Sequence, residues 1–557
     1  MSNKKKMYKI LITLSLIVMI VFVSMTFVVI KENYKLVKYR EDYNPISIES
    51  LREGYHDVFK HAYNSLTISN NPSNNSDLNS YYLNVDPNEF KSLSNDLPQS
   101  GEEYIDAYMK YEDEMHKVKL RFRGDNTWHW LYDKKSFRVK TKKDDLVEGV
   151  RKFNFVNPRE KSMLVDYLEA ELAKNMGILT AEVQPIRLFI NNKYVGIYLS
   201  IDQTDESFLR NNKRLPSNLY VGEVPGIWNE AHKWEKFAEY NVMEENDFGD
   251  LEILIEKVNQ TKDEIFPYEI EKILDLDKYI NWYGHMEISG SLHVDSNHNN
   301  KLYFDPSSGK FEPIAWDTFG FSAHPVPMTQ LNIPLNLLNY KILKNPKYVD
   351  EINQVIWRYT NNNKLSEYLL AEIENIYDMI KDDVYADRYK DYVDFSSDGS
   401  NNSRIYTNNE FDESVSILNE WIKLKEEYLI NELNKNNAYV SKEIYNNKKN
   451  EGLITIAADG NSGTKIEDIS FDSTYNEGSI QIWRDINING ILDKEDQLIN
   501  ENNIIDKEVI INLDEVILPG RKEVKDDRYS ANMSCVLEPS PLEYQFIVKY
   551  IGEEEGQ

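Results

Sequence analysis

The chain has 557 residues, 41% of them hydrophobic and 12% aromatic, with 93 acidic side chains against 64 basic ones and a net charge of -29. That apolar content is ample for packed cores and excludes a disordered chain, and the length implies two to four domains at about 150 residues each. The acidic balance argues against nucleic acid or an anionic lipid surface as the recognised partner, since both need a basic footprint; it is compatible with Lys- and Arg-rich protein tails, while plain solubility is the commoner meaning of an acidic surface.

Cys535 is the single cysteine, so an intrachain disulfide, a Cys-rich zinc site and a lipoprotein-type cysteine near the N-terminus are all excluded. In chain order, residues 1–9 form a short flank carrying Lys4, Lys5, Lys6 and Lys9. The uncharged run 10–30 follows, long enough for a bilayer core, which takes about 20 helical residues. It is too long for a signal peptide and no Ala-x-Ala-like site follows it, so an uncleaved single-pass anchor is expected. The positive-inside bias favours a cytoplasmic N-terminus with the bulk of the chain outside, but Lys31, Lys35, Lys38 and Arg40, diluted by Glu32, Glu41 and Asp42, flank the other end and leave the orientation open. Residues 31–80 lack apolar periodicity and end in the Asn/Ser-rich ISNNPSNNSDLNS, which predicts a polar stalk.

From Tyr104, YIDAYMKY and HKVKLRFRG alternate as two antiparallel strands, and SFRVK adds a third. Lys140 ends that third strand and is the candidate for the ATP phosphates, with Lys134, Lys135 and Arg138 as competitors. Arg123-Gly124 can bring a guanidinium and a bare backbone to phosphate, although Arg-Gly before a turn is also ordinary hairpin chemistry. Residues 160–176 predict a helix with Leu164, Tyr167, Leu168 and Leu172 on its apolar face and Glu171 amid them, where a buried carboxylate either meets a cation, Lys140 or an Arg elsewhere, or titrates. IRLFINNKYVGIYLSID predicts a hairpin turning at Asn191-Asn192 and ending at Asp202.

Beyond residue 250 the texture is helical, in LEILIEKVNQTKDEIF, ILDLDKYINWYGHMEISGSL and FDESVSILNEWIKLKEEYLINEL, with a polar loop FSSDGSNNSR near residue 400. Between the helices lies LHVDSNHNNKLYFDPSSGKFEPIAWDTFG, residues 292–320. Phosphoryl transfer needs a carboxylate to orient the attacking hydroxyl, and an Asn and a second carboxylate to hold metal on the ATP phosphates. Asp295 suits the first role, Asn299 (or Asn300, its competitor) and Asp317 the second. The ordinary alternative is a polar loop in which Asp295 caps its own turn. His298 is expected to structure that loop.

The run NKKNEG marks a boundary, and from residue 452 ITIAADG, GSIQIWRD and EVIINLDEVIL alternate at period two, predicting a small all-β module. Within it DININGILDKED sets Asp485, Asn487, Asn489, Gly490, Ile491, Asp493 and Asp496 at calcium-loop positions, with Ile491 giving its carbonyl. Asp replaces the usual Glu at the last position, and the flanks read as strands; an Asn/Asp turn is the alternative.

RFRGDNTWHWLYDKKSFRVK, VQPIRLFINNKYVGIYLSIDQTDESFL, the Asp-x-x-His-Asn segment and GKFEPIAWD together resemble the spore coat protein H (CotH) kinase-like family, over residues 83 to 433 and in the family's order. The resemblance implies an α+β, two-lobed atypical protein-kinase-like core over residues 81–440, binding ATP and Mg²⁺ or Mn²⁺ and phosphorylating Ser-rich proteins. A Glu usually follows the YL-rich strand in that family, whereas this chain has Asp202, one methylene shorter. The expected enzyme is a membrane-anchored Ser kinase of the spore coat or cell envelope; the alternative is a nucleotide-free scaffold or adhesion protein of the same fold.

Overall fold

The computed structural model describes residues 2–39, 44–95, 97, 103–124, 126–236, 247–321, 331–394, 402–446, 450–472, 478–504, 508–526 and 533–552. Residues 395–401 of the expected polar loop and 447–449 of the expected boundary lie outside them. The chain is mixed α/β with one apolar N-terminal helix and an all-β C-terminal region. It divides into two compact units: 1–171, 181–213 and 369–420; and 172–180, 214–368 and 421–557.

In the first unit, α1 (Ser2–Val37) is a single 36-residue helix, long and apolar enough to cross a membrane. Its last turns pack on α2 (Ile48–Thr67), burying Val29 and Leu36. Gly54 permits the approach, since a Cβ there would lie 2.4 Å from Val29 Cγ1. Asn33 Nδ2 donates to the carbonyls of Pro45 and Ser50 at 3.0 and 3.1 Å. Much of the expected stalk is therefore folded helix. Its aliphatic signal is weak because the buried face of α2 includes Ser50, Gly54 and Asn64, held by polar contacts such as Asn64 Nδ2 to Tyr406 O at 2.9 Å.

Seven strands close into a barrel: β1 (Ser80–Asn84), β2 (Ile105–Tyr111), β3 (Glu114–Phe122), β4 (Phe137–Lys140), β5 (Lys152–Val156), β6 (Val183–Ile190) and β7 (Lys193–Asp202). They run in the order β1-β2-β3-β4-β5-β7-β6, closed by the parallel β1–β6 pair. Alternate residues of β2 and β3 point inward, and Tyr81, Tyr111, Phe122, Phe137, Phe153 and Phe155 crowd the interior. The β6–β7 hairpin turns as expected at Asn191 and Asn192, both left-handed (φ 48° and 63°).

Helix α3 (Val165–Asn175) starts five residues later than its apolar pattern suggests. Met163 is left-handed (φ 60°), and Glu160 Oε1 accepts the Val165 N–H at 2.9 Å. Its buried face carries Leu168, Glu169 and Leu172, whereas Glu171, expected amid that face, is half-buried at its edge.

The second unit centres on a five-stranded sheet in which β8 (Leu219–Gly222), β9 (Asn300–Asp305) and β10 (Lys310–Ala315) lie between the short strands Glu235–Lys236 and Leu179–Thr180. Helix α4 (Leu276–Ser289) leads into β9 and ends at Gly290, left-handed at φ 73°. The all-β region starts at Asn436, so the expected boundary near residue 450 falls inside a paired hairpin, Asn436–Asn446 with Glu451–Gly460. Ile454, Ile456, Ile480, Ile482, Ile511 and Phe546 form its core. The region is also hydrogen-bonded to the helical part of its own unit, through Asn353 Nδ2 to Asn461 O at 2.7 Å and Leu537 N to Asn332 O at 3.4 Å.

Candidate functional site

The register of β8 against β9 pairs Gly222 with Asn300 and so sets Glu223 beside Asn299. Between α4 and β9 the loop 291–299 is built by its own polar side chains. Asp295 Oδ1 accepts the backbone N–H groups of Asn297 and His298 at 2.7 and 2.9 Å, and His298 Nδ1 sits 3.0 Å away. Asp295 is thus a buried loop anchor whose partners include His298, as expected for that histidine.

Asn300 Nδ2 donates to the carbonyls of Asp295 and His298 at 2.7 and 2.8 Å, and Asn300 Oδ1 accepts from Asn336. Asn299 is left-handed (φ 58°); its N–H donates to Glu223 Oε2 at 3.2 Å and its Nδ2 to His293 O at 3.1 Å. Asn299 Oδ1 makes no hydrogen bond among the described residues, which distinguishes it from its committed neighbour. Asp317, also left-handed (φ 47°), follows β10 through Trp316 and keeps a third of its side chain exposed. The turn rests on the end of α4: Ser291 Oγ donates to Thr318 O, and a Cβ on Gly320 would lie 2.5 Å from Ser289 O.

His293 joins loop and turn. Its Nδ1 lies 2.8 Å from Asp317 O and 3.7 Å from Asp317 Oδ2, and its ring meets Phe319 edge-on at 6.1 Å. Nδ1 also lies 3.2 Å from Asn299 Nδ2, so the tautomer decides which contact is a hydrogen bond: a protonated Nδ1 donates to the Asp317 carbonyl, an unprotonated one accepts from the Asn299 amide. Glu223 reaches solvent, yet protein atoms crowd its carboxyl, and this desolvation, with the Asp317 charge nearby, raises its pKa. The Asn299 N–H, Lys301 and His298 act the other way. Lys301 places its ammonium 3.2 Å from the centroid of the Trp316 ring.

His293 and Glu223 were not picked out from the sequence. The His-x-Asp spacing of His293 and Asp295 was a usable signal for the first. Glu223 lies 76 residues from Asn299, and only strand register brings it there.

Behind the loop, Glu287 of α4 is buried, accepts the Asn332 N–H at 2.8 Å and faces Lys425. Burial raises the Glu287 pKa and pushes Lys425 down to about 8, with each partner's charge opposing the shift.

In the first unit, Lys140 ends β4, half-buried, opposite Lys119 and Lys152. Two of its competitors are structural. Lys134 is buried in an ion pair with Asp387 at 2.6 Å, and Lys135 donates to the carbonyls of Trp130 and Tyr132. Arg138 Nε donates to Asn154 Oδ1 at 2.9 Å. The Arg123 N–H donates to Ser136 O, and Gly124 (φ 93°) is required by His129, whose ring would lie 2.2 Å from a Cβ. Asp202 closes β7 opposite Phe153, its N–H on Glu182 O at 3.0 Å.

The DININGILDKED loop joins two antiparallel strands, β11 (Ser479–Arg484) and β12 (Gln497–Asn503). Asp485 accepts the N–H groups of Asn489 and Gly490, and Asp496 those of Ile486 and Asp493. The amides of Asn487 and Asn489 donate to Asp493 at 3.0 and 2.9 Å. Gly490 is left-handed (φ 69°) at the sharp turn, and the side chain of Ile491 is exposed.

Among the described residues no three His, Cys, Asp or Glu side chains gather closely enough to hold a metal by themselves. The donor chemistry at Asn299 and Asp317 nonetheless fits Mg²⁺, a hard cation that takes one or two protein oxygens and fills its shell from water and phosphate. The calcium-type loop likewise offers only oxygen donors, from Asn and Asp side chains and the Ile491 carbonyl.

A family model described as CotH kinase protein matches residues 120–429. "Inner spore coat protein H" of Bacillus subtilis (strain 168) is 23% identical over 373 residues, covering 64% of this chain and 98% of that protein.

Proposed function

Because the chain belongs to the CotH kinase protein family, we propose that it is a membrane-anchored kinase with a two-lobed core, passing the ATP γ-phosphoryl group to Ser of a Ser-rich, basic protein of the spore coat or envelope. The observation that carries this reading is the half-buried Asp317 carboxylate, tied through His293 to an Asn299 whose side-chain oxygen makes no hydrogen bond among the described residues. Asp317 and Asn299 would hold Mg²⁺ or Mn²⁺. Arg123, Lys140 and Asp202 are the proposed nucleotide contacts. When bound, metal and ATP supply the transferable phosphoryl group and neutralise its charge. Asp295 orients the substrate hydroxyl, while the 297–298 backbone N–H groups hold its carboxylate and Asn300 its carbonyl. Asp485, Asn487, Asn489, the Ile491 carbonyl, Asp493 and Asp496 would take Ca²⁺.

A second reading rests on Asp295 itself. One of its oxygens already accepts two backbone N–H groups, as a purely structural Asp would. A scaffold of the cell envelope would need no more. Labelled ATP with Mg²⁺ or Mn²⁺ and a Ser-rich basic peptide separates the two: transfer by the parent and none by Asp317→Ala supports the enzyme, and no ATP binding by the parent supports the scaffold.

A further inference from the structure

Helix α2 is amphipathic, but part of its apolar surface faces away from the protein. Beyond its first turns two charged side chains turn inward: Asp57 Oδ1 accepts the Ile405 N–H at 3.2 Å, and Lys60 pairs with Glu410 at 2.7 Å, whereas Glu49 and Arg52 of the first turns are exposed. On the open side Phe59, Tyr63 and Leu66 are 61, 54 and 88% exposed, with Ala62 also exposed among them. With Tyr55 they recur at i, i+4, i+8 and i+11, a single stripe along one helix face.

The stripe begins on the anchor. The Tyr55 ring stacks on Phe22 at 5.5 Å, and its hydroxyl hydrogen-bonds Thr26. Both partners lie inside the apolar run 10–30 of α1, whose residues 6–24 are exposed. α2 therefore meets α1 at a height where α1 is still apolar. The two helices run in opposite directions, because Asn33 meets Ser50 while Phe22 meets Tyr55. The part of α2 beyond Tyr55 thus continues toward the apolar end of α1.

We propose that the Tyr55–Leu66 face of α2 lies in the membrane interface and holds the first unit against the bilayer. The inference rests on the reading of α1 as a membrane span. Lipid is the fitting occupant because the face is continuous with the anchor, shows no charged side chain from Tyr55 to Leu66, and pairs aromatic rings with a leucine, as interfacial helices do. A 36-residue helix is about 54 Å long, well beyond a hydrocarbon core of about 30 Å. The turns that dock on α2 are the last of the apolar run, from Phe22, and residues 31–37 beyond it.

The test uses the full chain in phosphatidylcholine–phosphatidylglycerol vesicles, labelled with an environment-sensitive fluorophore at Leu16→Cys, Phe59→Cys, Leu66→Cys or Asp113→Cys. Cys535 is buried, and Asp113 sits in the exposed β2–β3 turn. Lipids carrying a shallow or a deep quencher report depth. Quenching of Leu16 by the deep probe, and of Phe59 and Leu66 by the shallow one, with none at Asp113, is expected. Quenching at Leu16 alone overturns the interfacial face and leaves the anchor standing. No quenching at Leu16 removes the anchor, and the proposal with it. Shielding of Phe59 and Leu66 that depends on protein concentration and not on lipid assigns the face to a second copy and also overturns the proposal.

Discussion

His293 Nδ1 lies 2.8 Å from the carbonyl oxygen of Asp317, so the turn after β10 is held by the loop before β9. The same histidine's carbonyl accepts the side-chain amide of Asn299 at 3.1 Å. One residue thereby sets the spacing of the two proposed metal-holding side chains.

Asp295→Asn retains a side-chain oxygen for the N–H groups of Asn297 and His298, so it should fold and melt like the parent. Its phosphoryl transfer should fall by orders of magnitude if the carboxylate orients the hydroxyl. Asp295→Ala removes the turn contacts as well and should cost about 1–3 kcal/mol. Transfer by Asp295→Asn at the parent's rate would leave Asp295 as a loop anchor alone.

Glu223 should act by positioning Asn299. Glu223→Gln keeps an acceptor for the Asn299 N–H, whereas Glu223→Ala leaves that N–H without one. The expected result is that Glu223→Ala raises the Mn²⁺ concentration needed for half-maximal binding, read by Mn²⁺ paramagnetic resonance, and that Glu223→Gln largely restores it. Equal weakening in both variants would show that the charge, not the hydrogen bond, matters.

Lys425 gives a pH signature. Its pKa is about 8 in the folded state and 10.5 as the free side chain, so between those values the unfolded chain holds a proton that the folded chain has released. Stability from this group therefore rises as pH climbs from about 8 to 10.5 and is absent below that window. Denaturant titrations of the parent and of Lys425→Met should diverge there, by at most about 1.4 kcal/mol per pH unit. Parallel profiles would mean that Lys425 stays charged beside Glu287.

Calcium should raise the melting temperature of the whole protein, since the 485–496 loop offers its oxygens only when folded. At a hundredfold excess over the dissociation constant the gain is about 2.7 kcal/mol. An Asp485→Ala, Asp493→Ala double variant should lose the shift. An equal shift in that variant would assign the effect to another site.

Local pattern was legible in the sequence wherever the side chains themselves form the signal. The apolar run of α1, the alternation of β2, β3 and β4, the Asn191-Asn192 turn and the strands flanking Asp485–Asp496 follow from periodicity and turn chemistry between near neighbours. Asp295, Asn299 and Asp317 were visible because they share one 29-residue stretch. Tertiary structure alone decided what depends on partners far along the chain. Barrel closure needs β1 beside β6, about a hundred residues away, and Glu223 reaches Asn299 only through β8–β9 register. Helix α2 was hidden because its buried face is made of Ser50, Gly54 and Asn64, whose burial is stabilised by the specific contacts awaiting them and not by their own hydrophobicity. The roles of Lys134 and Lys135 are of the same kind: nothing in the sequence shows that Asp387 and the carbonyls of Trp130 and Tyr132 engage them.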